Sequence, residues 1–569
     1  MRHKTTQIFI LLLALSFPGF AQELISSSQE LIEAAQQGGV YQLAPGSYGL
    51  SEPLTISRDF TLIGEDTPRT GFKTKIRSTA PLVSLDITGN ITVQLEGFSL
   101  EYLGETGADV IDIEDANFEL RNLEIVGGVY SEPEAEGGIF YGSGLYLYGT
   151  ARGKVENCVF RENEQDAIHM EGEAEVSVKD SSFSDNDGAI ALFDSTKASL
   201  EGIEVSRSSL SALYAEADAS MTIINSRFQQ NTEGSAYLLG NAQLSIRDSQ
   251  FEEEGELYSA ITVGENARLE LFNSQFQNNL QGSVWLFDTA EGHLEASSFS
   301  SSGNEGIAAV VFSNETHVTF IGNTLKDNEG GAISLFDNAQ LDAKQNSFEA
   351  NGNWTAVYLG GSSQSNFSNN QFLNNLGSGV FLLESATASL SSNQFDGNGD
   401  SGLIAADQSQ PRLTVNRFSN NVNFGVHLYG NAVAYLAGNH FENNTDSGLM
   451  SQEEAFVSAY ENNFGPHNIA GMVFFDSSSG IVRNNKLTAN TTAAVIVANN
   501  ANPKLETNQV SESDYGLLYL DLARGSAQDN QISNTQVGIY KVKGSSPQLG
   551  ENSFEANDTD LLEDANPPF

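Results

Sequence analysis

Arg152, Lys154, Arg161, Asp166 and His169 lie close together in the chain, beside Tyr146 and Tyr148. A base, a carboxylate, cations and aromatic platforms are the parts that acid–base chemistry on a polar ring-shaped substrate requires. His169, Arg161 and Asp166 are therefore the candidate catalytic residues, with His427 beside Tyr429 as a lesser candidate. The plain alternative for either histidine is an incidental residue on a strand face. Other chemistries lack their parts, since the sequence holds no Gly-rich phosphate loop, no zinc-ligand spacing and no nucleophile elbow.

What must position these residues is a repeat. Between Phe160 and Phe554 an apolar side chain, most often Phe, returns every 22 to 26 residues, with a small polar residue usually two positions before it. From Asn323 through Asn346 and Asn370 to Asn552 that polar residue is always Asn. A second polar row follows three positions after the apolar one, at Asn163, Asn186, Asn231, Asn351, Asn421 and Asn557 among others. Asn tolerates left-handed backbone and bonds its neighbours, so both rows are expected at turns, where identical amides stacked about 4.8 Å apart form a ladder.

Between the turns, runs such as Gly425-Val426-His427-Leu428-Tyr429 and Ala388-Ser389-Leu390 alternate with period two, the mark of half-buried strands. A unit of three strands and their turns in about 23 residues is one coil of a parallel β-helix, whose Phe row stacks inside. The expected fold is all-β, a single β-helix solenoid of roughly twenty coils about 95 Å long, with a short N-terminal capping helix. Residues 1–21 read as a secretory signal, 22–50 as the cap and first coil, 51–558 as the β-helix and 559–569 as an acidic tail.

The phrase Asn-x-Phe-x-x-Asn followed by Gly-Val-x-Leu resembles the right-handed parallel β-helix repeat of the pectin-lyase-like superfamily. The segment from Leu31 to Tyr48 is similar to the capping helix and first coil of those proteins, and Phe60-Thr61-Leu62-Ile63-Gly64 and Lys75-Ile76-Arg77 to their early coils. The resemblance implies the fold but no single activity, because such proteins include lyases, hydrolases, epimerases and adhesins. The Gly-His-Gly and Arg-Ile-Lys phrases of polygalacturonases and the Asp-Pro-His-Asp phrase of alginate epimerases do not occur.

Charge narrows the partners. With 27 Lys and Arg against 74 Asp and Glu, the formal net charge is −47. Nucleic acid and anionic membranes are disfavoured, and polyuronates are repelled unless calcium bridges the two surfaces. No cofactor and no metal-ligand set is otherwise expected, and no later stretch is apolar enough to span a membrane. The chain is expected to be exported, either outside the cell or to a periplasm. Cys158, the one cysteine, occupies a ladder position and reads as a buried structural thiol.

In Gly-Val-x-Leu-x the residues between and after the inward pair face out and line up from coil to coil. The outward files contain Tyr146, Tyr148, His169, Tyr214, Tyr237, Trp285, Tyr358, Phe381, His427 and Tyr429, and also Phe193, Phe287, Phe336 and Phe475. Such a face is expected to bind a glycan or a protein surface by stacking and burial. The Asp of each Phe-Asp pair, such as Phe193-Asp194, is expected at a turn. Four interruptions of the period mark candidate binding loops: Gly127 to Gly144, with Tyr130, Pro133, Phe140 and Tyr141, and additions near 252–256, 301–315 and 351–355. Three functions follow: a binding protein using the aromatic face, a polysaccharide lyase, epimerase or hydrolase beside the 127–144 insertion, and a structural or self-assembling rod.

Overall fold

A computed structural model describes residues 23–131 and 141–567. The chain winds into a right-handed parallel β-solenoid of about 22 turns, whose strands form three parallel sheets. The first sheet runs from Glu23–Ile25 to Gln548–Leu549, the second from Ser47–Leu50 to Ser553–Glu555, and the third from Leu54–Ile56 to Thr559–Asp564.

One helix, α1 (Ser28–Gln37), closes the N-terminal end. Ser27 caps it by accepting from the Glu30 amide, Gly38 ends it at φ 72°, and Leu31, Ala34 and Ala35 are buried beneath it. This side of the core is thereby shielded from water, which a terminal coil cannot do alone. Among the described residues no helix is long and apolar enough to cross a membrane.

One coil shows how sequence dictates the turn geometry. Gln410–Thr414 lies in the first sheet, Arg417–Ser419 in the second and Phe424–Leu428 in the third. Phe418 points inward and stacks between Phe395 at 4.6 Å and Phe441 at 4.9 Å, nearly parallel to both. The Phe file is buried from Phe160 onward and becomes half-buried only at Phe554, the last member. Offset stacking at this spacing satisfies the rings' quadrupoles while burying apolar area that an isolated coil would expose.

Both Asn rows form ladders, but they are not the left-handed residues of the turns. Positive φ falls one position earlier, at Val415 (φ 58°) before Asn416 and at Asn420 (φ 57°) before Asn421. The ladder Asn instead points inward and saturates the turn. Asn393 donates its backbone N–H and its Nδ2 to Asn416 Oδ1 at 2.9 and 3.0 Å, and Nδ2 also to the Phe367 carbonyl at 3.0 Å. The amide is selected because each buried site needs an acceptor and two donors at once.

The third turn has its own row, built from acids. Asp194, Asp288, Asp337 and Asp476 all have φ near 55°. Each accepts the backbone N–H of the preceding coil's turn, as when Asp194 Oδ2 takes the Gly172 N–H at 2.9 Å and Asp337 Oδ2 takes that of Asn314 at 3.1 Å. Part of the acidic excess is thus turn chemistry.

Candidate functional site

The outward residues of the third sheet stand in register from coil to coil. Tyr214 pairs with Tyr237, Tyr237 with Thr262, Thr262 with Trp285, and the file continues through Val311, Ser334, Tyr358, Phe381 and Ile404 to His427. Among the described strands of this sheet Lys541 is the one Lys or Arg. Tyr214 and Tyr237 stack at 6.3 Å with rings 6° apart, Trp285 meets Phe287 at 5.3 Å, and Phe336 meets Tyr358 at 5.5 Å. His427 sits half-buried between Phe424 at 4.9 Å and Tyr429 at 5.2 Å, and burial lowers its pKa.

Some members of the strip are covered rather than exposed, Phe381, Tyr146 and His169 among them. Phe381 is buried beneath Trp354, whose ring meets it edge-on at 4.8 Å, because the addition near 351–355 folds back over the strand face. Tyr146 is buried between Tyr148 at 4.9 Å and His169 at 5.3 Å. Farther along, Val473, Ile496, Leu518 and Tyr540 form a separate apolar cluster outside the main core, with the Tyr540 hydroxyl donating to the Asn566 carbonyl at 2.6 Å.

The additions contribute apolar side chains that the repeat does not announce. Trp354 is 61% exposed, Leu257 61% and Tyr258 41%. Tyr258 meets Tyr237 edge-on at 5.9 Å. Leu257, Tyr258, Ile307, Trp285, Val311 and Phe336 surround a cleft of about 250 Å³ on the strand face.

The candidate catalytic residues part company. His169 Nδ1 lies 2.9 Å from Asp166 Oδ2 and Nε2 lies 3.3 Å from Glu171 Oε1, while the Tyr146 hydroxyl donates to Glu171 at 2.8 Å. Burial opposes charge on the ring, but the two carboxylates outweigh it and hold the pKa up at about 9. Both ring nitrogens of His169 thus face carboxylates that favour the imidazolium, a form with no free lone pair to act as a base. Arg161 does not join it. That residue is on the second sheet, where it bonds Glu124 at 3.2 Å and Glu162 at 2.5 Å. Arg152 and Lys154 are on the first sheet, lining a polar hollow with Glu175 and Lys197. Residues close in sequence here are distributed around the coil, a third of a turn apart.

Three carboxyls and Glu171 take the place of the missing cations. Asp86, Asp112, Tyr146 and His169 are successive members of one outward file. Asp109, on the same strand as Asp112, accepts the Gly142 and Ser143 amides at 2.9 and 2.7 Å through Oδ1, tying down the end of the 127–144 insertion. Burial pushes Asp109 up to about 6 and Asp112 well above the carboxylate range. Among the described residues, Asp109 Oδ2 and Asp112 Oδ1 are buried without a partner. The sequence signal is present in Asp109-Val110-Ile111-Asp112-Ile113-Glu114, where acids interrupt an apolar strand two coils before His169. Pro133 and Phe140 lie outside the described residues. Tyr130 is 42% exposed, and its amide donates to Glu164 at 3.1 Å.

Among the described residues no group of three His, Cys, Asp or Glu side chains is arranged to hold a metal ion. Cys158 is buried, with its pKa pushed up to about 12 by burial, and Sγ donates to the Glu156 carbonyl at 3.4 Å.

The repeat matches the family model described as right handed beta helix region, in overlapping stretches 111–256, 220–372, 309–464 and 406–559. The chain belongs to this β-helix family. Comparison with curated proteins returned no match. Among solved structures, this β-helix is similar to a double mutant of the periplasmic alginate epimerase AlgG, at 12% identity over 63% of this chain and 77% of that one, with a TM-score of 0.33. It is also similar to the PL6 family alginate lyase AlyGC, at 10% identity over 95% and 100% of the two chains and TM-score 0.32. A third is the catalytic unit of a GH87 α-1,3-glucanase from Streptomyces thermodiastaticus, at 12% identity over 68% and 70%, TM-score 0.31. At these identities the likeness is one of fold.

Proposed function

We propose that this β-helix protein binds uncharged glycans along the outer face of its third sheet. The observation that carries this reading is the file of half-exposed rings, Tyr214, Tyr237, Trp285, Phe336, Tyr358 and Tyr429, on a face with one Lys or Arg among its described strands. Sugar rings stack on such platforms, and a polyanion gains no ion pair there. The reading agrees with export by the leader-like segment 1–21.

The test is affinity electrophoresis in gels containing neutral or uronate polysaccharides. Retardation by a neutral polymer, insensitive to salt and lost in a Tyr237→Ser, Trp285→Ser, Tyr358→Ser triple variant with unchanged thermal unfolding, supports the reading. Retardation by uronate polymers alone would refute it.

A second reading, hydrolysis of a glycan at the Asp109–Asp112 carboxyls, is favoured by buried oxygens of both that have no partner among the described residues. A carboxyl kept protonated can donate to a glycosidic oxygen while a second carboxylate directs water, and the His169 imidazolium would position the group. Release of reducing ends that disappears in both Asp109→Asn and Asp112→Asn checks it. Activity surviving in both variants excludes this site.

A further inference from the structure

Two of the four interruptions of the period meet on one spot of the strand face. The first addition presents Leu257 and Tyr258, and the second presents Gly306 and Ile307 from a tight hairpin closed by Asn304 and Ile307. Both walls are tied to the scaffold. The Glu256 amide donates to the Thr232 carbonyl at 2.8 Å, Ser259 Oγ to the Gln281 carbonyl at 2.8 Å, and Gln281 Nε2 to the Glu256 carbonyl at 3.3 Å. In the hairpin Asn304 and Ile307 exchange backbone bonds at 3.2 and 2.9 Å, and Asn304 Nδ2 donates to the Leu280 carbonyl at 3.1 Å. A cleft held this way is formed before any ligand arrives, which saves ordering cost on binding.

We propose that this cleft is a subsite for one or two uncharged pyranose rings, the anchoring position of the glycan-binding face. The inference rests on the reading in the preceding subsection and adds a place and a size. Its floor, Trp285, Val311 and Phe336, offers flat aromatic surface, and Phe336 is 40% exposed. Ser259, Gln281 and Ser334 place polar groups around that surface, the arrangement that suits a ring with apolar faces and a hydroxylated edge. In a chain of net charge −47, no Asp, Glu, Lys or Arg among the described residues lines the cleft. A uronate finds no cation there and an amine no carboxylate, so a neutral ligand fits best. The volume, about 250 Å³, is below the roughly 300–1,000 Å³ of clefts for drug-sized ligands.

The two tryptophans make the test specific. Trp354→Phe leaves Trp285, on the cleft floor, as the sole tryptophan, whose emission is read with red-edge excitation that spares the tyrosines. The full chain carrying this change is titrated with maltohexaose, cellohexaose, mannohexaose and xylohexaose, and with polygalacturonate oligomers for contrast. A saturable change in emission with at least one neutral oligosaccharide is expected, and a Tyr258→Ser, Phe336→Ser pair, both at exposed positions, should weaken it more than tenfold without moving the thermal transition.

If a neutral glycan retards the parent chain in gels but leaves Trp285 emission unchanged, or binds the paired variant equally well, the subsite is wrong and the binding face stands. If no neutral glycan binds in either assay, both fall. A response to uronate oligomers alone also overturns the proposal.

Discussion

Glu254 occupies a position in the second ladder that other coils fill with Asn, and its substitution offers a quantitative test of how the ladder works. The side chain is 1% exposed. Asn231 Nδ2 donates to its two oxygens at 3.0 and 3.1 Å, Ser235 Oγ donates at 2.6 Å, and its own amide donates to Asn279 Oδ1 at 3.0 Å. Burial nevertheless dominates these donors and pushes the pKa from 4.5 up to about 8. The native state therefore favours the protonated acid, whereas the unfolded chain ionises normally. Below about pH 4.5 both states are protonated and stability is complete, whereas between 4.5 and 8 it declines, and above 8 the loss is full.

A tenfold difference in proton affinity between the folded and unfolded chain corresponds to about 1.4 kcal/mol, so the full loss is at most about 5 kcal/mol. Relaxation of the coil makes about 3–5 kcal/mol the expected size. Glu254→Gln keeps the shape and an acceptor for Asn231, and turning the Ser235 hydroxyl accommodates the new N–H₂. The variant should match the parent at pH 4.5 and exceed it by several kcal/mol at pH 8.5. Because coils of a solenoid can open locally, the readout should be local as well. Urea unfolding followed by Trp285 emission in a Trp354→Phe background reports on the neighbouring coils. Equal midpoint differences at the two pH values, or a variant weaker at pH 8.5, would show that the donors hold Glu254 as a carboxylate and would refute the argument.

Phe395→Ala should cost about 3–5 kcal/mol by urea denaturation, since the ring is fully buried between Phe372 at 4.5 Å and Phe418 at 4.6 Å and leaves a cavity the stack cannot close. Val415→Asn should raise the unfolding free energy by about 1 kcal/mol in urea denaturation, because a β-branched residue at φ 58° is strained where Asn is not, and Val415 is 66% exposed. His467, which stands in the second ladder with Nδ1 accepting from the Asn444 amide at 3.2 Å, has its pKa pushed from 6.5 down to about 4 by burial. It should therefore make the fold lose stability as pH falls from 6.5 to 4, and His467→Asn should remove that loss in thermal scans across this range.

The periodic part of the structure is legible in the sequence because it is one-dimensional. Phe160 to Phe554, the Asn323 to Asn552 ladder and the outward position of Tyr237, Trp285 and Tyr358 all follow from spacing, since each coil repeats the environment of the last. The capping helix is equally readable from its amphipathic pattern. Which turn residue takes positive φ is not. Asn is suited to both the left-handed site and the ladder site, and only the structure separates Asn420 from Asn421.

The site is less legible, because its features depend on contacts between different coils. Trp354 over Phe381, and Leu257 facing Ile307, come from additions of irregular length that have no partner row to read. The charge of His169 is set by Asp166 and Glu171 together, a balance that spacing alone does not reveal. Arg161 misleads because proximity in sequence is not proximity in space. In a coil of three strands, eight residues are enough to carry a side chain onto another sheet.

The acids of the third turn connect fold to ligand choice. Asp194, Asp288, Asp337 and Asp476 directly follow the outward rings Phe193, Phe287, Phe336 and Phe475, so the carboxylates that accept the preceding turn's N–H also border the aromatic strip. Replacing them with Asn would preserve the acceptor at each turn while removing four negative charges spread several coils apart along the strip. A chain carrying all four changes should keep its unfolding midpoint and its affinity for neutral glycans, because neither stacking nor ladder geometry uses the charge. It should gain affinity for uronate polymers, most visibly at low salt, where screening is weakest. If uronate binding is as weak as before at low salt, repulsion along the strip is not what selects the ligand, and the shape of the aromatic face alone must do so.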